Sequence, residues 1–314
     1  MSAQMIDCDV LVTGANGFIG SHYVAFALEN NLKVAVSSRL KNSPVLKENS
    51  ENKIHYACSD FDLSKRASIQ QLFSKIRPKA VVHAAAICSS GGTDGFDLIS
   101  GDVASTYELM ACAAAAEVER FIILGSAQVY GAQIEAHSEN DPLAPANPYG
   151  LMKSLCVEAA DYFRRQSSMT IIETRLFNVY GPYDKPPRLL PYLLERMQDN
   201  MLVELSAGEQ ERDFIYIDDV VRIIAKAAAG HIPYDCINVG TGEVISVKAI
   251  AEYLHGQLGS KSEMKFGAKS MQRGEAKVLK ADISRLKELQ LMPMVNVNDG
   301  ISKIVRNLDV EVVD

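Results

Sequence analysis

An α/β fold on a doubly wound parallel sheet is what this sequence predicts, and three observations carry the prediction. Short apolar runs alternate with segments of helical period through the first three-quarters of the chain. Several runs are continuously apolar, as strands buried on both faces are. A glycine-rich turn, "TGANGFIG" at 13–20, lies directly between the first run and the first helical segment. Strand, helix, strand in repetition implies a parallel sheet covered on both faces. Such a sheet has a ligand crevice at the carboxyl ends of its strands, where the strand order reverses.

The strands expected in order are Cys8–Thr13, Lys33–Ser38, Ile54–Ala57, Ala80–His83, Phe121–Gly125 and Thr170–Arg175. Helical period marks Ser64–Lys75, Val103–Glu117 and Tyr149–Gln166, the second with an alanine-rich end that favours helix. The stretch "GPYDKPPRLLPY" at 181–192 is too rich in proline for a central strand or a helix interior. A further strand, Cys236–Gly240, returns the chain to the sheet. The expected division is a sheet domain of 1–176 with 213–240, and a smaller, discontinuous C-terminal region of 177–212 with 241–314.

The chain has 314 residues, 47% hydrophobic and 23% charged, with a net charge of −7. That acidic balance argues against nucleic acid as the main partner, while a small phosphorylated ligand can still be met by local positive charge. No run approaches the ~20 apolar residues of a membrane span, and the first ten residues do not read as a secretory leader; a cytoplasmic protein is expected. The six cysteines are scattered, without metal-ligand spacing, and read as reduced small hydrophobes, so no metal is expected.

In the opening turn, Gly14 permits the tight bend, Gly17 removes a Cβ where backbone must approach a pyrophosphate, and Gly20 lets the helix lie close to the strand. The helix N-terminus then offers free N–H groups and partial positive charge to phosphate. Asn16, Phe18 and Ile19 complete this dinucleotide cradle. The strand "KVAVSS" ends at Ser37 and Ser38, Arg39 follows it, and no acid is present. An acid there would accept a bond from a free ribose 2′-hydroxyl; an arginine suits a 2′-phosphate. NADP(H) is therefore favoured as cofactor, with NAD(H) the alternative.

"PYGLMK" places Tyr149 and Lys153 four apart on one helix face. A phenol beside an ammonium is suited to proton transfer. Ser126, at the carboxyl end of "RFIILGS", can hold a reacting carbonyl oxygen beside the tyrosine.

With these residues in hand the sequence resembles the extended short-chain dehydrogenases/reductases, in the branch of nucleotide-sugar epimerases, dehydratases and ketoreductases. The resemblance runs through "TGANGFIGSH", "DL" at 62–63, "HAAA" at 83–86, "GSAQVYG" at 125–131, "NPYGLMK" at 147–153, "RLFNVYGP" at 175–182, "RDFIYIDDV" at 212–220, "NVGTG" at 238–242 and "ADISRLKEL" at 281–289. It implies a Rossmann fold carrying a Ser126–Tyr149–Lys153 catalytic set, with Lys153 also holding the nicotinamide ribose. By the same resemblance Asp62 and Leu63 meet the adenine end, and Ala84, Ala85 and Ala86 line the cofactor. Asn178, Arg212 and Arg273 face the sugar nucleotide, Arg212 at its pyrophosphate. A homodimer is implied, paired through the helices 103–117 and 149–166.

Two positions depart from the family pattern. Asp102 stands where members commonly have Asn. Gln128, two residues after Ser126, stands where the 4,6-dehydratases carry a glutamate that removes a proton, and an amide cannot act as that base. The expectation is therefore NADPH-dependent reduction of a keto group, at C-4, of a nucleotide-linked 6-deoxyhexose. The alternatives are an NAD-dependent nucleotide-sugar 4-epimerase and, outside catalysis, an NADP-binding redox sensor.

Overall fold

A computed structural model describes residues 5–37, 54–58, 60–86, 95–271 and 275–311. The chain divides into two compact units. The first comprises Met1–Val129, Asn147–Arg175 and Val221–Ile237, and the second Tyr130–Ala146, Leu176–Val220 and Asn238–Asp314. The second unit thus takes residues 130–146, 176, 213–220 and 238–240, which the sequence reading assigns to the sheet domain.

The first unit is built on a seven-stranded sheet. Along the chain run β1 (Ile6–Thr13), α1 (Phe18–Glu29), β2 (Val34–Ser37), β3 (Tyr56–Cys58), α2 (Arg66–Phe73) and β4 (Ile76–His83). A helical stretch follows: α3 (Gly95–Leu98), a π-turn (Ile99–Val103) and α4 (Ala104–Ala115). Then come β5 (Arg120–Ser126), α5 (Pro148–Gln166) and β6 (Thr170–Leu176). In the sheet order β11-β6-β5-β4-β1-β2-β3, β11 is Cys236–Val239. The chain winds outward from β1 in one direction, then restarts at β4 in the other. The switch lies between β1 and β4, which are paired in parallel register from Ile6↔Ile76 to Thr13↔His83.

Strand β4 begins four residues earlier than expected and runs through Pro78. A proline is tolerated there because β5 joins β4 only from Ala80↔Arg120 onward, so at Pro78 that side of the strand is a free edge. Leu11, Val81 and Phe121 of the sheet, Ile69 and Leu72 of α2, Leu109 and Met110 of α4 and Phe163 of α5 share one core cluster. Each such fully buried side chain contributes about 1.5–3 kcal/mol.

The second unit carries short strands. These are β7 (Asn178–Tyr180) paired with β10 (Phe214–Tyr216), and a three-stranded group in the order β12 (Ile245–Ser246), β9 (Glu211–Arg212), β14 (Val278–Leu279). A third pair joins β13 (Met264–Lys265) to β8 (Val203–Glu204). Helices α6 (Leu189–Gln198), α8 (Val247–Leu258), α9 (Ser284–Glu288) and α10 (Val297–Glu311) complete it, and α7 (Ile217–Ala228) spans the boundary. Asp213 is fully buried and satisfied: its carboxylate accepts from the backbone of Thr241, Gly242 and Ala281 and from the Thr241 hydroxyl. Ser246 caps α8, accepting from the Ala249 amide, and Gly259 ends that helix in the left-handed region at φ 56°.

Candidate active site

The turn after β1 is shaped by sterics. Gly14 has φ +70°, and a Cβ on it would lie 2.5 Å from the Ala85 nitrogen. A Cβ on Gly20 would lie 2.2 Å from the Gly14 carbonyl oxygen. Both clashes are with backbone, so neither position admits a side chain without moving the turn. Gly17, exposed, precedes α1 and offers no side-chain cap to the first turn, whose N–H groups and dipole favour an anion. Phe18, Ile19 and Gly20 form that first turn, with Asn16 just before it. The turn leads from the end of β1, beside the switch point, into the N-terminus of α1, and that placement fits a dinucleotide pyrophosphate.

Behind the cradle lies a relay that sequence reasoning did not single out. Thr13 accepts the Ala85 amide at 3.4 Å and meets His83 Nδ1 at 2.7 Å; His83 Nε2 meets Thr106 Oγ1 at 3.0 Å. In the neutral ring one nitrogen donates and the other accepts, so each threonine hydroxyl takes the complementary role toward the nitrogen it meets. Burial, with the Lys153 charge adding to it, pushes the His83 imidazole down to about 3. The neutral ring thus ties the turn after β1 to α4. The only sequence signal was a histidine ending an apolar strand.

The adenine end is partly described. The Asp62 carboxylate accepts from the Ser64 amide and hydroxyl, which hold it below the usual carboxylate range, and Lys65 lies 3.4 Å away. Leu63 points its side chain into the core. Ala84 and Ala85 are half-buried where the chain leaves β4, and Ala86 is exposed. Ser38, Arg39 and Arg273 lie outside the described residues.

Ser126, Tyr149 and Lys153 all belong to the first unit. Lys153 Nζ donates to the Leu124 carbonyl at 2.8 Å and lies 5.8 Å from the centroid of the Tyr149 ring. The Ser126 hydroxyl oxygen accepts from the Gln128 amide nitrogen at 3.2 Å, which leaves its proton to give to a substrate oxygen. Helix α5 starts where it does because Asn147 caps it, accepting from the Gly150 amide at 2.8 Å, with Pro148 at the first helical position. Arg164 and Arg165 in its last turn suit the dipole. Asn147 Nδ2 also donates to Gln128 Oε1 at 3.0 Å, so the turn after Ser126 and the helix bearing Tyr149 are laced together. Asp102 sits buried within the π-turn, an element that packs against α5; insertions of this kind cluster at functional sites. Deeper, burial pushes the Cys156 thiol up, against the opposing Lys153 charge.

In the second unit, Asn178 donates from Nδ2 to the Asp213 carbonyl at 3.2 Å. Arg212 is nearly buried, giving Nη1 to the carbonyls of Glu211 and Lys277 and Nη2 to Glu275 Oε1 at 2.5 Å. Its charge is therefore already matched by a carboxylate, which a diphosphate would have to displace or share. A cavity of about 940 Å³ lies elsewhere in the first unit, at the amino ends of β1 and β4, lined by Cys8, Asp9, Arg77 and Lys79 among others, and does not reach Ser126, Tyr149 or Lys153. Among the described residues no helix is long and apolar enough to cross a membrane, no cluster of His, Cys, Asp and Glu could hold a metal ion, and no disulfide forms.

The model of the NAD dependent epimerase/dehydratase family matches residues 10–240. The chain is 28% identical over 313 residues to an uncharacterized UDP-glucose epimerase of Bacillus subtilis, covering 95% of this chain and 97% of that one. It is 29% identical over 253 residues to the dTDP-D-glucose 4,6-dehydratase of Homo sapiens, covering 78% and 72%. Among solved structures it is similar to the UDP-glucuronic acid 4-epimerase of Bacillus cereus in complex with UDP-glucuronic acid and NAD. The TM-score is 0.83 and the identity 28%, over 96% of this chain and 99% of that one.

Proposed function

The chain belongs to the NAD-dependent epimerase/dehydratase family, and we propose that within it this protein is a nucleotide-sugar ketoreductase. It reduces a keto group, at C-4, of a nucleotide-linked 6-deoxyhexose with NADPH. The observation that carries this reading is the lacing of Gln128 to Ser126 and to Asn147, the cap of the helix that bears Tyr149. The group two residues past Ser126 is an amide already accepting from Asn147. An amide so held takes no proton from a sugar carbon, which removes the base that water elimination needs. Arg39, with no acid in "KVAVSS", supports the phosphorylated cofactor.

NADPH, when bound, supplies the hydride. Gly14, Gly17 and Gly20 admit its pyrophosphate to the end of α1, and Lys153 holds the nicotinamide ribose. Ser126 donates its hydroxyl proton in a hydrogen bond to the carbonyl oxygen and so favours negative charge there. Tyr149 gives its Oη proton to that oxygen as the carbon is reduced, and the nearby Lys153 ammonium stabilises the phenolate left behind. Arg212 and Arg273 offer positive charge to the diphosphate, and Asn178 a polar contact to the sugar nucleotide.

A 4-epimerase with tightly held NAD is the second reading. It is favoured by the full-length likeness to proteins named as epimerases, one of them solved with NAD. Two measurements separate them. Denaturing the purified protein and weighing the released nucleotide by mass spectrometry yields retained NAD for an epimerase and little retained cofactor for a reductase. A panel of nucleotide-linked 4-keto sugars mixed with NADPH shows loss of NADPH absorbance for at least one member; no consumption with any member sinks the reductase.

The reading implies a cytoplasmic homodimer. Its support is an aromatic patch on α4 and α5: Tyr107 and Tyr162 are each 44% exposed, with ring centroids 6.2 Å apart. Light scattering of Tyr162→Glu is expected to report half the mass of the unmodified protein.

A further inference from the structure

Helix α6 ends against its own dipole. Glu195 in its last turn and Asp199 at its C-cap are four apart and exposed, where the free carbonyls of the helix end already gather negative charge. Both line a cavity of about 500 Å³ that lies wholly within the second unit. Leu190 and Leu194 of α6 and Ile304 and Leu308 of α10 supply it with apolar wall. Asp184 lines it as well, with a side chain only 6% exposed. Two donors reach this carboxylate, the Lys185 amide at 3.0 Å and Arg188 Nη1 at 3.3 Å, and both go to Oδ1. Oδ2 has no partner among the described residues. Among those residues the lining holds three carboxylates and no cation. Burial pushes the Asp184 carboxyl up to about 6, with Arg188 and the Lys185 amide opposing, so it is charged at neutral pH.

We propose that this cavity binds an organic cation, an ammonium group on an apolar body, with the ammonium donating to Asp184 Oδ2 and the body lying on Leu190, Leu194, Ile304 and Leu308. A buried carboxylate oxygen without a donor is destabilising, and the ammonium supplies that donor. Glu195, Asp199 and the carbonyl end of α6 add negative potential on the exposed side. A hard inorganic cation suits the site poorly, because such ions need several oxygen ligands and these walls are largely leucine and isoleucine. A neutral apolar molecule fills the space but leaves Oδ2 unpaired. The volume is that of a small-molecule site. The cavity shares no residue with Ser126, Tyr149 or Lys153, so the inference stands or falls apart from the redox reading.

The probe is 3-phenylpropylammonium, titrated into the full chain labelled at its isoleucine and leucine methyl groups and followed by NMR. Shifts are expected at Ile304, Leu190, Leu194 and Leu308, with millimolar or tighter affinity. The probe keeps its charge from pH 7.5 to 5 while Asp184 loses its own, so Kd is expected to weaken about 10-fold across that range. The charged groups facing the site are Glu195 and Asp199 of α6 and Arg188 and Lys185 of the loop before it; from α10 only Ile304, Asn307 and Leu308 line the cavity. None of these others titrates with Asp184 near 6, which makes the pH dependence its signature.

Asp184→Asn keeps the shape and is expected to weaken the probe about 10-fold or more at pH 7.5, as loss of a charged acceptor does, and to flatten the pH dependence. Glu195→Gln combined with Asp199→Asn changes only exposed groups, so folding is preserved, and weakens the probe about 3-fold. Each result decides. Equal affinity for the neutral 3-phenylpropanol means an apolar slot, and the proposal falls. Displacement of the probe by equimolar Mg²⁺ assigns the site to an inorganic cation, and the proposal falls. Absence of shifts at the four side chains, or a Kd unchanged between pH 7.5 and 5, overturns it even if Asp184→Asn does not fold.

Discussion

At the scale of single residues, Tyr149 holds the decisive proton in the proposed reaction. Replacing it with phenylalanine keeps the ring, its packing on α5 and its place beside Lys153, and removes only the transferable proton. Turnover by Tyr149→Phe is expected to fall by about 10²–10⁴-fold, with the dissociation constant for the dinucleotide changed no more than a few-fold; steady-state kinetics and a fluorescence titration check the two halves. Arg39→Ala is expected to weaken NADPH far more than NADH, and equal weakening of both removes the argument for the phosphorylated cofactor. The Tyr149–Lys153 pair is visible in the sequence because four residues on a helix place two side chains on one face. The Thr13–His83–Thr106 relay is not visible. It joins residues 70 and 23 positions apart, and they meet only because β1 and β4 pair with Thr13 opposite His83. That register is a property of the folded sheet.

Elements explain why the same substitution has opposite signs at two glycines. In the turn between β1 and α1, Gly20→Ala drives a methyl to 2.2 Å from the Gly14 carbonyl oxygen, which is backbone and must shift. The expected result is loss of dinucleotide affinity by about 10-fold or more and a lowered Tm. In α8, a Cβ on Gly256 meets nothing within 4 Å, so Gly256→Ala gains helix propensity, up to about 1 kcal/mol. A raised Tm with unchanged dinucleotide affinity is expected there. Calorimetry and an isothermal titration on the two variants test the pair. The glycine turn was legible because three glycines between an apolar run and a helical pattern have one mechanical explanation. The second unit was less so. Its strands β8, β9, β12, β13 and β14 are two residues long each, too short for any periodicity, and they exist through pairings such as Glu211 with Val278 that no local pattern announces. The proline-rich segment does not end regular structure throughout, because its last four residues open α6, where Pro191 sits in the first turn and its missing N–H costs no intrahelical bond.

For the molecule as a whole, burial of a neutral histidine makes folding stability depend on pH. His83 titrates near 3 in the folded state, against about 6.5 in an unfolded chain. Between those values the unfolded chain binds a proton that the folded one refuses, so stability falls as pH drops through this window and is fully present above it. The slope is about 1.4 kcal/mol per pH unit for one such group. His137 adds in the same direction: burial lowers it more than the Asp141 carboxylate 3.8 Å away raises it. Asp62 also loses stability on acidification, since Ser64 and Lys65 hold it below its ordinary range, but only at lower pH, where carboxylates begin to protonate. Urea midpoints measured from pH 7.5 to 4.5 should therefore decline below about 6.5 for the unmodified protein, and less steeply below about 6, where Asp184, raised to about 6 by burial, takes up a proton in the folded state. His83→Gln can still bond to Thr13 or Thr106 but cannot take up a charge. It should start less stable at pH 7.5, through lost packing in the core, and then decline less steeply. Parallel slopes for the two proteins would mean that His83 is not the group whose protonation unfolds the sheet, and that the carboxylates of the molecule carry its acid sensitivity instead.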